Sequence, residues 1–201
     1  MHINDVIDSS ESSWKVDPIH SELSFRTKHL MISTVTGYIK KFDLNVQTLG
    51  NDFGQVTDLE IKIDMDSLTT NHEPRDVHLK SEAFFDIKNH PYITFKKISF
   101  EKQGHVPPTL YAIYRRDYKL RGNLTVKGIS KLILLDGEFG GLSIGMDGEK
   151  RAGFTVRGKV SREEFGLTWR GLTTAGSLII ADEVEIVGNI QLIKQVTSII
   201  Q

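Results

Sequence analysis

The chain has 201 residues, 25 Lys plus Arg against 26 Asp plus Glu, a formal net charge of −1 and no cysteine. That balance offers no polyanion-sized positive field, which argues against a nucleic-acid partner. The lack of cysteine excludes disulfides and thiolate metal sites and leaves the redox compartment open.

Residues 1–12 are polar and unpatterned and read as a flexible N-terminal tail, followed by one domain over 13–195 and a short C-terminal tail over 196–201. The N-terminus carries Asp5, Asp8 and Glu11 and no apolar h-region, so it does not read as a secretory signal. No run approaches the roughly 18 apolar residues of a membrane span. The expectation is a soluble, cytoplasmic protein, or a periplasmic or secreted one where a signal has been removed.

From Trp14 the apolar residues alternate. Leu23, Phe25 and Thr27 share one face of a strand that follows a turn at Asp17-Pro18. Extended chain resumes through Thr36-Gly37-Tyr38, and Phe42, Leu44 and Val46 continue it. Gly50 to Gly54 reads as a turn cluster. Val56 to Asp64 is a strand with Leu59, Ile61 and Ile63 on one face and charges on the other, which fits an antiparallel sheet with a wet side. Over 67–85 the alternation stops. Asn71 as cap, Pro74 in the first turn and Asp76 near the positive end predict a short helix over about 74–81, with Phe84-Phe85 at its exit.

After a reversal at Asn89-His90-Pro91, Ile93 and Phe95 alternate, then Ile98 and Phe100 in the opposite phase. The slip at Lys96-Lys97 predicts a β-bulge. Gly104 to Pro108 reads as a loop. Tyr118, Leu120, Gly122, Leu124 and Val126 form a strand ending in a turn at Lys127-Gly128, before Leu132–Leu135. Glu138 to Arg151, with four glycines, reads as a long loop or loose hairpin. Gly153 to Val160 is a strand, Ser161 to Gly166 a single capped helical turn, Leu172 to Ile180 ambiguous, and Ala181 to Lys194 a last strand with Val184, Ile186, Gly188, Ile190 and Leu192 inward. Eight or nine strands with two short helical pieces satisfy either an antiparallel barrel or a two-sheet sandwich. Inward glycines at 122, 158 and 188 favour an all-β antiparallel barrel with a short helix against one end.

Chemistry-bearing patterns are sparse. His20 and His29 lie nine residues apart and His72 and His78 six, neither a helical nor a strand metal-pair spacing, so no metal site is assigned. Gly140 to Gly145 lacks the Lys-Ser/Thr of a phosphate loop, and no cofactor motif is read. Arg75-Asp76 with His78 fits an exposed helix face as well as acid–base work. What remains is apolar: Phe25, Phe42, Phe84, Phe85, Phe95, Phe154, Phe165 and Trp169 take inward or barrel-end positions, filling a core or lining a ligand cavity.

The order and spacing of several motifs resemble the YceI-like family. They are Trp14-Lys-Val-Asp17, His20-Ser21, Leu23-x-Phe25, His29-Leu30, Asp76-Val-His78-Leu79-Lys80-Ser81 and Phe84-Phe85-Asp86. They continue with His90-Pro91, Leu120-x-Gly122-Asn-Leu124, Gly153-Phe154, Arg162-x-x-Phe165-Gly166 and Asp182-Glu-Val184. The resemblance implies an eight-stranded antiparallel, lipocalin-like barrel around an apolar tunnel, no enzymatic activity, a polyisoprenoid or other long-chain lipid as partner, and a homodimer. It implies a tunnel wall that includes Leu23, Phe25, Phe42, Phe84, Phe85 and Phe95, and further Gly122, Leu124, Phe154, Phe165 and Trp169. His29, Asp76, His78 and Arg162 are expected as polar groups at the mouth, and Gly122 as a gap left for the chain to pass, with sharp coiling of its strand as the alternative. Two other readings stand beside the carrier: an enzyme acting on such a lipid through His29 or His78, and a filled barrel serving as a stress or interaction domain.

Overall fold

The computed structural model describes residues 10–103, 116–169 and 179–196. The loop expected at Gly104–Pro108, most of the stretch after Leu172 and the outer parts of both tails lie outside these residues.

The N-terminal strand β1 (Glu11–Val16) opens the fold, so Glu11 and Ser12, expected in the tail, belong to the sheet instead. They pair with Leu49 and Thr48, and Ser12 is buried. β2 (Glu22–His29) and β3 (Ser33–Ile39) form a hairpin, and β4 (Phe42–Leu49) and β5 (Asp52–Asp64) another. A 3-10 turn over Met65–Ser67 leads to β6 (Leu68–Thr69), then helix α1 (Glu73–Lys80). β7 (Tyr92–Lys102), β8 (Arg116–Val126), β9 (Ile129–Ile144), β10 (Lys150–Ser161) and β11 (Ile180–Lys194) complete the sheet.

The hydrogen-bonded ring runs β1-β4-β5-β7-β8-β9-β10-β11 and closes by β11 pairing β1, giving an eight-stranded antiparallel barrel. β2, β3 and β6 lengthen the wall rather than add to the ring. β1 and β2 both lie along β11, as two halves of one position broken at Asp17. The break has a cause. The Asp17 carboxylate accepts from the Ile19 amide, from Gln191 Nε2 and at 2.8 Å from the His20 ring, and the Asp17 amide donates to the Gln191 carbonyl. Pro18 cannot donate to the ladder, so the strand jogs there and the buried carboxylate ties the jog to β11.

Alternation sets the two faces. On β4, Leu44 and Val46 are buried while Asp43 and Asn45 are exposed. The expected phase slip is real, as a register shift between Lys97 and Ser99 bends β7. The turn at Lys127-Gly128 is also present, with φ of 48° and 75°.

Of the loop and the hairpin expected over Glu138 to Arg151, the structure shows the hairpin: β9 and β10 pair from Gly158↔Leu135 out to Lys150↔Ile144. A bulge at Gly153/Phe154 shifts the phase there, which hides the alternation in the sequence. The turn before β5 ends at Asn51, so Phe53 is already in the strand and fully inside. The α1 cap is His72, whose Nδ1 accepts from the Arg75 amide at 3.3 Å; Asn71 is instead in the left-handed region, with φ 58°.

One end of the barrel is floored by rings. Phe53 lies 4.8 Å from Trp14, 5.6 Å from Phe139 and 4.9 Å from Phe154, centroid to centroid. Trp14 is wholly buried and donates its indole N–H to Thr48 at 2.9 Å. The other end carries α1, Phe84-Phe85, the β2–β3 hairpin tip and the single 3-10 turn Glu163–Phe165, which stops at Gly166 with φ 73°.

Candidate functional site

The barrel encloses a cavity of about 370 Å³. It rests on the Phe53–Phe154 floor and reaches the end where α1 lies. Its size falls in the range of about 300–1,000 Å³ typical of small-molecule pockets, and a packed core has no void approaching it. The walls are carbon. β4 and β5 contribute Leu44, Val46, Leu59, Ile61 and Ile63, and β11 contributes Val184, Ile186, Gly188, Ile190 and Leu192. Alternation places these side chains inside, and the same alternation puts charges outside.

Leu23, Phe25, Phe84, Phe85, Phe95 and Leu124 line the cavity. So do Phe154, Phe165, Trp169, His29, His78 and Arg162. Three residues expected there do not. Phe42 packs against the core from the wall without reaching the void. Asp76 turns away: its carboxylate accepts from Thr69 Oγ1 and the Thr70 amide at 2.8 Å each, and from the Thr70 hydroxyl. Burial alone would raise its pKa, but the Thr70 and Thr69 hydrogen bonds and the Arg75 charge outweigh it and hold the group below its ordinary value. Asp76 is therefore a strap between β6 and α1.

Gly122 is the third. A Cβ built on it would lie 2.3 Å from the Phe95 ring and 2.5 Å from the Lys96 carbonyl oxygen. The glycine makes room for Phe95 of the neighbouring strand and leaves no gap for a passing chain. Gly37 serves Phe25 in the same way, its Cβ position lying 2.2 Å from that ring. Gly188 differs, because a Cβ there would make only ordinary contacts, at 3.5 Å to Ile190 and 3.8 Å to Leu23, and the residue lines the void.

Polar groups gather at the α1 end. His78 sits with its ring 4.8 Å from Trp169 and 6.3 Å from Phe84. Arg75 Nε donates to the Thr70 hydroxyl at 2.7 Å and its Nη2 to the Thr70 carbonyl at 3.0 Å. Arg75, weighed only with Asp76 and His78 on a helix face, and Thr70, which had no sequence signal, both line the cavity. The buried Arg162 guanidinium donates to the carbonyls of Ala181 and Leu167, clamping the 3-10 turn to β11. The arrangement is a carbon-lined chamber with its imidazole and guanidinium groups gathered at the α1 end.

A family model described as a YceI-like domain matches residues 14–192. The chain belongs to the YceI-like family. It is 33% identical over 175 residues to the UPF0312 protein SA2479 of Staphylococcus aureus strain N315, covering 87% of this chain and 93% of that one. Among solved structures it is similar to the Campylobacter jejuni YceI protein, with 32% identity, a TM-score of 0.59 and coverage of 81% of this chain and 88% of that one. A polyisoprenoid binding domain from Saccharophagus degradans implicated in plant cell wall breakdown shares the fold, with a TM-score of 0.62 at 15% identity over 90% of this chain and 98% of that one. In YceI-like terms, the Asp17–His20 pair ties the strand break, and the Asp76–Ser81 motif is α1 with its strap.

Proposed function

We propose that this protein binds a long-chain isoprenoid or similar amphiphilic lipid and carries or sequesters it without chemical change. The observation that carries this reading is the chamber of about 370 Å³ whose walls are almost wholly carbon and whose imidazole and guanidinium groups sit at one end. A hydrocarbon tail placed there gains about 0.8 kcal/mol per buried methylene, while a polar head would meet His78, Arg75 and Thr70. Membership of the YceI-like family and likeness to a polyisoprenoid binding domain support the same ligand class. The carrier reading is favoured over an enzyme by how the polar groups are used: the carboxylate of Asp76 and the guanidinium groups of Arg75 and Arg162 hold backbone and hydroxyl groups of the wall. The reading includes a homodimer working in the cytoplasm, which light scattering and cell fractionation test.

Native mass spectrometry of the freshly purified protein is the direct experiment. A co-purifying lipid mass, recovered unchanged after prolonged incubation, is the expected result. A protein that stays empty when offered a polyprenol from detergent would overturn the reading. An altered lipid mass would convert it to an enzyme.

A further inference from the structure

The α1 end of the barrel carries apolar side chains that face water. The β2–β3 hairpin turns through Leu30 and Met31, with φ of 50° and 60°, and the Ile32 amide donates to the His29 carbonyl at 3.2 Å. Such a turn suits Asn, Asp or Gly, and branched or long apolar side chains are strained there. The tip nonetheless presents Met31 at 66% and Ile32 at 84% exposure. Across the same end, α1 presents Val77 at 64% and Trp169 shows 38% of its surface. The flanking residues belong to the cavity: His29 and Ile180, paired across β2 and β11, both line it, as do His78 beside Val77 and Trp169 itself. The apolar rim is thus continuous with the apolar chamber.

The hairpin arm is cationic, while the same end also carries Glu73 and Glu82 around α1 and Glu163 and Glu164 on the 3-10 turn. From Leu23 to Lys41 the chain holds Arg26, Lys28, Lys40 and Lys41 and no carboxylate, in a molecule whose formal net charge is −1. Arg26 lies beside Glu185 of β11. Lys28, nearer the tip, donates to the Thr34 hydroxyl at 3.1 Å.

We propose that this end of the barrel docks on a lipid bilayer, with Met31, Ile32, Val77 and Trp169 entering the headgroup–acyl boundary and Lys28 facing headgroup phosphates. Exposed apolar tips, an interfacial tryptophan and adjacent cations are the combination that holds a protein at such a surface. Docking there brings the chamber against the membrane, so a tail passes from acyl chains to chamber wall without crossing water. The proposal rests on the carrier reading for its purpose, but not for its measurement.

The test floats the full chain on vesicles of phosphatidylcholine with phosphatidylglycerol, doped with a radiolabelled polyprenol. Three proteins are compared: the wild type, Met31→Asp/Ile32→Asp, and Ile144→Asp/Met146→Asp at the β9–β10 hairpin of the opposite end, which is equally exposed. Asp tolerates the left-handed backbone better than Met, so the tip variant keeps its turn. The tip variant is expected to lose vesicle partitioning by on the order of a hundredfold and to slow polyprenol transfer. The far-end variant should behave as wild type, and all three should take up polyprenol from detergent. Equal flotation of the tip variant and wild type, or equal loss in both variants, overturns the docking surface. So does a tip variant that turns a dimer into a monomer while no protein floats, since the face is then a self-interface. Tip-dependent flotation without polyprenol uptake keeps the docking surface and removes the carrier; uptake without flotation does the reverse.

Discussion

Replacing Gly188 by Leu separates a ligand chamber from a packed interior. The residue is buried on β11, faces the void, and would seat a Cβ at 3.5 Å or more from its neighbours. The added side chain brings four carbons into a space of about 370 Å³. In the empty protein those carbons are buried without displacing anything, and the unfolded chain loses glycine's freedom, a gain of about 0.4–1 kcal/mol for the backbone alone. The melting temperature should stay level or rise by about 2–4 °C. For a bound tail the same four carbons are lost from contact. At about 0.8 kcal/mol each this is about 3 kcal/mol, or roughly a hundredfold in affinity. Differential scanning fluorimetry of the delipidated protein and displacement of a fluorescent prenyl probe read the two quantities separately. A fall of several degrees in the empty protein would refute the reasoning, since it would mean that β11 faces tightly packed atoms. Unchanged affinity at unchanged stability would place the tail elsewhere.

Gly122→Val should do the opposite, because its Cβ meets Phe95 and a backbone oxygen; a loss of about 1–3 kcal/mol in denaturant titration, alike with and without ligand, is expected. Phe53→Ala removes the ring shared by Trp14, Phe139 and Phe154 and should cost about 3–5 kcal/mol, with Trp14 fluorescence shifting red as water reaches it. Asp17 is held below its ordinary pKa of 3.8: burial alone would raise it, but hydrogen bonds from His20, Ile19 and Gln191 and the His20 charge outweigh that. Its folded pKa being the lower one, its contribution is complete above 3.8 and fades as pH falls through the folded value. The stability gap between wild type and Asp17→Asn, measured by urea titration, should therefore be widest near neutrality and close in acid; a gap that widens in acid would contradict this.

The barrel was legible where one face is dry and the other wet. Leu44 and Val46 on β4, and Val184 to Leu192 on β11, mark strand, face and chamber wall together, because inside and outside differ in solvent. The β9–β10 hairpin was legible only as one of two forms, because glycines and the bulge at Gly153 break the two-residue period that alternation depends on. Gly122 was misread for a different reason. An inward glycine says that something needs space, and only the cross-strand neighbour, here Phe95, says what. Asp76 and Arg75 sit next to each other in sequence, yet pairing of β6 with β3 fixes Thr69 and Thr70 where both side chains are drawn back to them. That is a tertiary event with no local signature.

The seam of the barrel imposes an order of events on the chain during synthesis. β11 bonds β10 on one edge and both β1 and β2 on the other, with Trp14 opposite Lys194 and Ser24 opposite Val187. Until residues 180–194 have been made, β1 and β2 have no partner on that side, and the growing sheet stays an open curl with an uncovered edge at each border. The loop that finally closes runs from β1 to β11, so its entropy is lost in the last step rather than gradually. The nascent protein therefore completes its inner chamber only once β11 has been made, and the open curl, not the finished barrel, is the form most exposed to edge-to-edge aggregation.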